Sequence, residues 1–150
     1  MANPIKQPNG VMFDNFSFQW NKNFAKVRTE NFTAAQKYVD ETVLRGMVKY
    51  TPELSGKMIE SADNGTKIGS GFIQYLSPYA RYQYYGKLMV SSITGSAWAS
   101  KGEKKVLTDI DLKYSQTNPL AGKMWFERYK KDHLPIIIRG VEQYTGGRIR

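Results

Sequence analysis

The spacing of apolar positions changes several times along the chain, and each change predicts an element. In VMFDNFSFQW, residues 11–20, Phe16, Phe18 and Trp20 alternate with Ser17 and Gln19, the period of two that marks a half-buried strand. Asn21 to Asn23 supply the turn out of it. The spacing then becomes three and four. Phe32, Ala35, Val39, Val43 and Met47 fall on one side of a helix, and Phe24 and Val27 carry the stripe backwards. Lys37, Asp40, Glu41 and Arg45 fall on the other side, which reads as solvent-facing. Thr29 and Asn31 have the chemistry of caps, and Pro52 requires the helix to stop by about Tyr50. A stripe of this kind is core packing.

The segment 51–71 is rich in Gly, Ser and Thr, which predicts loop or a short helix, with Asn64-Gly65 as a turn. FIQYL, residues 72–76, reads as a strand. Pro78 interrupts it, so SPYARYQYYG is a bend followed by either a short helix or a second strand. Residues 87–104 are small, polar and weakly patterned, a long loop or a hairpin with Trp98 near its tip. In KKVLTDIDLKY, Val106, Thr108, Ile110 and Leu112 alternate as in a strand that ends at Ser115 to Asn118. Pro119 suits the entrance to a last helix over roughly 121–142. Its stripe is Trp125, Tyr129, Ile136, Ile137 and Val141, with Lys123, Arg128, Lys130 and Lys131 opposite. Pro135 should kink or split it. The element order predicts an α+β fold, a small mainly antiparallel sheet packed against a long N-terminal helix and a C-terminal helix. The length of 150 residues suits a single domain, 1–150, with a flexible arm over 1–10 and a flexible basic tail over 145–150.

Composition narrows the function. A 41% hydrophobic fraction is too high for a disordered chain, and no apolar run is long enough to span a membrane. The opening MANPIKQPNG lacks the apolar core of a secretory signal, which points to a protein made and used in the cytoplasm or assembled there into something larger. The absence of cysteine excludes disulfides, thiolate nucleophiles and cysteine-based zinc sites, and the single histidine, His133, excludes a two-histidine metal site within one chain. Lys and Arg number 22 against 13 Asp and Glu, a formal charge of +9 that attracts polyanions or simply keeps the chain soluble.

No catalytic set emerges. His133 lies among Lys130, Lys131 and Asp132, in the setting of a surface residue. Asp109 and Asp111 share one strand face and could chelate a hard cation, but no third carboxylate has a comparable spacing. IGSGF, residues 68–72, lacks the lysine and the following helix of a phosphate loop. Glu127 and Asp132, five apart, are poorly placed to cooperate. The chain therefore reads as a non-enzyme without cofactor or metal. The aromatic residues say more. Tyr75, Tyr79, Tyr82, Tyr84 and Tyr85 crowd a short segment around Arg81, a composition shared by interface hot spots, by stacking platforms for single-stranded nucleic acid and by polar-edged cores. Tyr79, Arg81, Tyr82, Tyr84, Tyr85 and Trp98 are the candidates for a subunit interface.

Three stretches carry further motifs. In YTPELSGKMIESA they are Pro52, Ser55, Gly56, Lys57, Met58 and Ser61. In YLSPYARYQYYGK they are Pro78, Tyr79, Ala80, Tyr82, Tyr85 and Gly86. In NPLAGKMWFERYKKDH they are Pro119, Ala121, Trp125, Phe126, Glu127 and His133. In this order the three resemble the minor capsid and tail-completion family of tailed phages, the head–tail connector proteins of the neck. Leu54 stands where the family commonly has Asp, so that residue's helix-capping role is not carried over. The resemblance implies a structural virion protein at the head–tail junction, assembled in the host cytoplasm. It would form a homo-oligomeric ring, commonly of six copies, between head-closure or connector proteins and the tail-terminator or tail-tube proteins. Double-stranded DNA would pass through the ring without sequence recognition, and no membrane is involved. The second reading is a basic nucleic-acid-binding module using the Tyr/Arg cluster, and the third a metal-dependent hydrolase through Asp109 and Asp111.

Overall fold

The computed structural model describes residues 3–13, 16–53, 55–114 and 118–147. Leu54, the strand end at Ser115, the ends of the N-terminal arm and basic tail, and the side chains of Phe13 and Phe16 lie outside the described residues. The fold is α+β, with four helices and two small antiparallel sheets among the described residues. The chain divides into two compact units: Met1–Val43 with Lys67–Phe72 and His133–Arg150, and Leu44–Thr66 with Ile73–Asp132. The long helices α1 (Phe24–Met47) and α4 (Trp125–Thr145) contribute to both. Among the described residues no helix is long and apolar enough to cross a membrane.

In the first unit, β1 (Val11–Phe13) and β2 (Phe16–Phe18) form an antiparallel hairpin. The alternating pattern of the sequence overshoots this strand. Trp20 lies beyond it and packs edge-on to Phe18 at 5.2 Å and against Phe24 at 4.7 Å. Helix α1 begins at Phe24, so Thr29 and Asn31 are interior residues and not caps. The N-terminal turn is satisfied from elsewhere: Phe24 N–H donates to the Asn21 carbonyl at 2.9 Å, and Ala25 N–H to Gln7 Oε1 at 3.1 Å. Thr29 Oγ1 donates to the Ala25 carbonyl and accepts from Ile5 N–H, which ties the irregular segment 3–10 to the helix.

Of the predicted stripe on α1, Ala35, Val43 and Met47 are buried and Val39 half-buried, whereas Val27 and Phe32 are exposed. Asp40 reverses its expected placement. It is only 3% exposed, and three donors surround its carboxylate. Gln36 Nε2 reaches Oδ1 at 2.7 Å, and the N–H groups of Gly69 and Gly71 reach Oδ2 at 2.7 and 3.1 Å. Both glycines have positive φ, 91° and 78°, a conformation that lets successive N–H groups converge on an anion. The glycine-rich IGSGF is thus a nest filled by the chain's own carboxylate. At the end of α4, Arg28 Nη1 caps the Thr145 carbonyl at 2.9 Å. Tyr38 packs on Tyr144, with centroids 5.5 Å apart, and its hydroxyl end fills the space where a side chain at Gly140 would lie. Helix α4 runs unbroken through Pro135, so the expected split is absent. Ile136, expected in the stripe, is 59% exposed, while Ile137 and Gly140 face inward.

The second unit holds α2 (Lys57–Gly65), α3 (Ala80–Tyr85) and a hairpin of β3 (Lys87–Ser91) and β4 (Lys105–Asp111). FIQYL forms no strand. It keeps the period of two, with Ile73 and Tyr75 half-buried and their neighbours exposed, but no strand lies beside it. Its backbone bonds go to Thr66 Oγ1 from Gln74 N–H and to the Ser61 carbonyl from Leu76 N–H. Asn64-Gly65 closes α2 and turns no hairpin. Of the two readings left open for 78–86, the helix is the one formed, and 87–104 becomes strand and hairpin connection. Ser91, 1% exposed, organises that connection: its Oγ accepts from Ile93 N–H and Thr94 N–H and donates to Glu103. Glu103 Oε2 in turn accepts from Ser100 N–H at 2.8 Å.

Replacing Asp40 by Ala strips the acceptor from two glycine N–H groups, one of them buried, and should cost about 2 kcal/mol in equilibrium urea unfolding. Asp40→Asn, which retains one acceptor oxygen, should cost less. A Cβ on Gly140 would overlap the Tyr38 ring. Gly140→Ala should therefore destabilise by about 1–3 kcal/mol, and adding Tyr38→Ala should shrink that increment.

Candidate functional site

A six-residue helix points successive tyrosines in different directions, and α3 sorts the aromatic cluster accordingly. Tyr84 turns inward against Trp125, edge-on with centroids 4.8 Å apart. Tyr75 meets the same indole at 5.5 Å. Trp125 is 2% exposed. Burial pushes the Tyr75 and Tyr84 phenols above the ordinary tyrosine range, for Tyr84 with the Glu127 charge adding to it. Tyr79, at 60%, and Tyr85, at 55%, remain exposed with Arg81, and Tyr82 is half-buried. Gly86 ends α3 with φ of 70° and donates its N–H to the Tyr82 carbonyl at 2.8 Å. A side chain there would also meet Lys123 at 2.9 Å.

The three stretches singled out in the sequence come together in this unit, apart from His133, which belongs to the first. The first and second line one groove of about 440 Å³, with Pro52, Ser55, Gly56, Lys57 and Met58 facing Tyr79 and Gln83, and Tyr114 completing the wall. The third joins through backbone bonds. Gly122 N–H donates to the Tyr50 carbonyl at 3.1 Å and Met124 N–H to the Tyr84 carbonyl at 2.8 Å, so that Trp125 enters between Tyr75 and Tyr84. Phe126 is half-buried beside it, while Pro78 is exposed and Ala80 half-buried. Tyr79 and Tyr82 also border a smaller groove, of about 150 Å³, with Leu88, Met89, Ala97 and Leu112. Trp98 lies in the hairpin connection, 87% exposed.

The residues examined for chemistry are placed otherwise. Asp111 pairs with Lys87 Nζ at 3.1 Å, and that hydrogen bond, with the Lys87 and Lys123 charges, holds its carboxyl below the usual range. Lys87 Nζ also donates to the Asp109 carbonyl. Among the described residues no group of three or more His, Asp or Glu side chains is placed to hold a metal ion. His133 is half-buried. Arg128, assigned by periodicity to the outer face of α4, is half-buried and sits over the Tyr50 ring at 5.8 Å. Tyr50 O–H donates to Asp132 Oδ2 at 2.7 Å. Sequence reasoning missed both Asp40 and this Tyr50–Asp132–Arg128 set. A signal existed for the first, since two glycines one residue apart in a polar loop are a backbone-donor motif seeking an anion.

The raised phenols give a sign to pH dependence. Tyr75 and Tyr84 ionise near 10.0 when unfolded and higher when folded, so their contribution is complete below pH about 10 and is lost as pH rises through the folded values. Urea midpoints measured from pH 8 to 11 should fall above pH 10, and Tyr75→Phe should flatten the fall. No protein-family model, curated protein or solved structure matches this chain.

Proposed function

We propose that the chain is a structural subunit of the neck of a tailed-phage virion, acting as a ring between head-closure and tail-tube components and surrounding the DNA channel. One observation carries the reading: stretches 50–62 and 75–87 and all of 118–133 but His133, chosen for their likeness to that family, lie in one unit around Trp125. The function so proposed lies in surfaces rather than in bond-making chemistry. Rings close by contacts between two different patches on each subunit. The exposed Tyr79 and Tyr85 with Arg81, and the hairpin connection bearing Ile93 and Trp98, offer such patches in chemistry typical of interface anchors. A charge of +9 per subunit suits a wall past which phosphates slide without base recognition.

Mass measurement of the purified chain, alone and with neighbouring neck proteins, should give a closed oligomer or assembly on the neighbours. A labelled copy in intact particles should appear at the head–tail junction by negative-stain imaging. Label on the capsid shell or at the tail tip would overturn the reading. The nucleic-acid-binding alternative is favoured by one feature, Arg81 and Tyr85 exposed four residues apart on α3. On that alternative, oligonucleotide binding shows a steep salt slope and is lost in Arg81→Ala or Tyr82→Ala.

A further inference from the structure

We propose that neighbouring copies of the chain join when Trp98 of one enters the groove between residues 52–58 and Tyr79 of the next. The inference rests on the ring reading only for its closure, and the pairwise contact has a test of its own. Both surfaces lie in the second unit. The donor surface is the hairpin connection, 92–104, in which all residues but Ala99 and Glu103 are exposed. Trp98 and Ile93 are its large apolar side chains, 87% and 82% exposed. Its backbone is held from within: Lys105 Nζ donates to the Ala97 carbonyl at 2.7 Å, and Glu103 accepts from the Ser91 hydroxyl and from Ser100 N–H. A contact made there adds little further ordering of the backbone, one of the main costs of association.

The receiving surface is the groove of about 440 Å³. Pro52, Met58, Tyr79 and Tyr114 give it an apolar wall, and Glu53, Lys57 and Lys113, all three exposed, line it as well. This lining suits an indole. Tyrosine rings meet tryptophan edge-on, as Tyr75 and Tyr84 meet Trp125 inside the same unit. A methionine thioether packs against an aromatic edge. Lysine ammoniums settle over an indole face, the best of the aromatic partners for a cation. Glu53 is opposite in sign to Lys101 and Lys104, the exposed charges of the connection. Burying one indole removes about 150–250 Å² from water. That is a fraction of the roughly 800 Å² per partner of a standard interface, so a single contact holds at micromolar concentrations. A closed ring, with two contacts on every subunit, holds more firmly. The contact is heterologous, since the surface that gives differs from the surface that receives.

The chain has no cysteine, so each single substitution introduces one thiol. Ala97→Cys places it beside the anchor and Ser55→Cys in the groove, and both leave Trp98 in place. The two full-length variants, the second carrying a size tag, are mixed at high micromolar concentrations and treated with a short bis-maleimide. A mixed dimer should form, in far greater yield than either variant linked to itself. Adding Trp98→Ala to the first variant, or Tyr79→Ala to the second, should cut that yield about tenfold or more. In sedimentation of the otherwise unaltered chain, the same two substitutions should each raise the dissociation constant about thirtyfold, the loss typical of an interface anchor. Both residues are exposed in the free chain, so neither change removes core packing. Absence of a mixed dimer, or a yield that Trp98→Ala leaves unchanged, overturns the inference, while the neck location keeps its separate imaging test. A mixed dimer from a chain whose label sits on the capsid shell or the tail tip upholds the contact and overturns the ring reading.

Discussion

The burial of Trp125 is the constraint on which the second unit depends. Its indole is nearly inaccessible and is touched by Tyr75 from the segment before α3 and by Tyr84 from α3 itself. A helix of six residues is too short to hold together in water alone, because nucleation is costly and so few hydrogen bonds follow it. Helix α3 therefore exists because Tyr84 packs on the indole and because Gly86 closes its last turn. The same packing explains the route of the chain into α4. Gly122 and Met124 bond to Tyr50 and Tyr84 just before the helix begins, and Met124 takes a positive φ of 53° that a non-glycine residue adopts only when its surroundings demand it. Truncating a buried Trp typically costs 3–5 kcal/mol, roughly the scale of a small domain's whole stability. Loss of this side chain would release the groove as well as the core.

Much of this was legible in the residues. The long helix, the final helix, the strand through Val106 to Ile110 and the α+β class follow from periodicities of 3.6 and 2 that burial enforces, whereas the weak pattern of 87–104 left loop and hairpin both open. The failures share one cause. Periodicity reports which side of an element is apolar and does not report which polar groups find partners. Asp40 looked solvent-facing because it is charged, yet three donors compensate its burial. Arg128 looked outward-facing for the same reason, yet its guanidinium covers the Tyr50 ring. FIQYL has the composition of a strand and its alternation, but a strand also needs a neighbour, and its backbone bonds went to a threonine hydroxyl and to the end of α2. Cap assignment failed because a distant residue, Gln7, supplied the acceptor for the first turn of α1. Of the six interface candidates, Tyr84 and Tyr82 are half-buried, Tyr84 with its ring against Trp125, while Tyr79, Arg81, Tyr85 and Trp98 are exposed. Adjacent tyrosines on so short a helix cannot share one environment, and sequence alone does not say which of them turns in.

The hairpin presents a different balance. A two-stranded sheet is marginal in water unless something packs on it, and β3–β4 leaves most of β4 exposed. What holds it is local: Ser91 and Glu103 bind the connection, Lys105 reaches the Ala97 carbonyl, Lys87 bridges to Asp111, and Thr108 Oγ1 donates to the Leu88 carbonyl. These bonds fix the backbone of the connection, and Ile93 and Trp98 project from it into solvent. A tryptophan exposed to water is unfavourable for the monomer and favourable for a complex. That asymmetry is the physical reason to look for function on this hairpin rather than in a cleft.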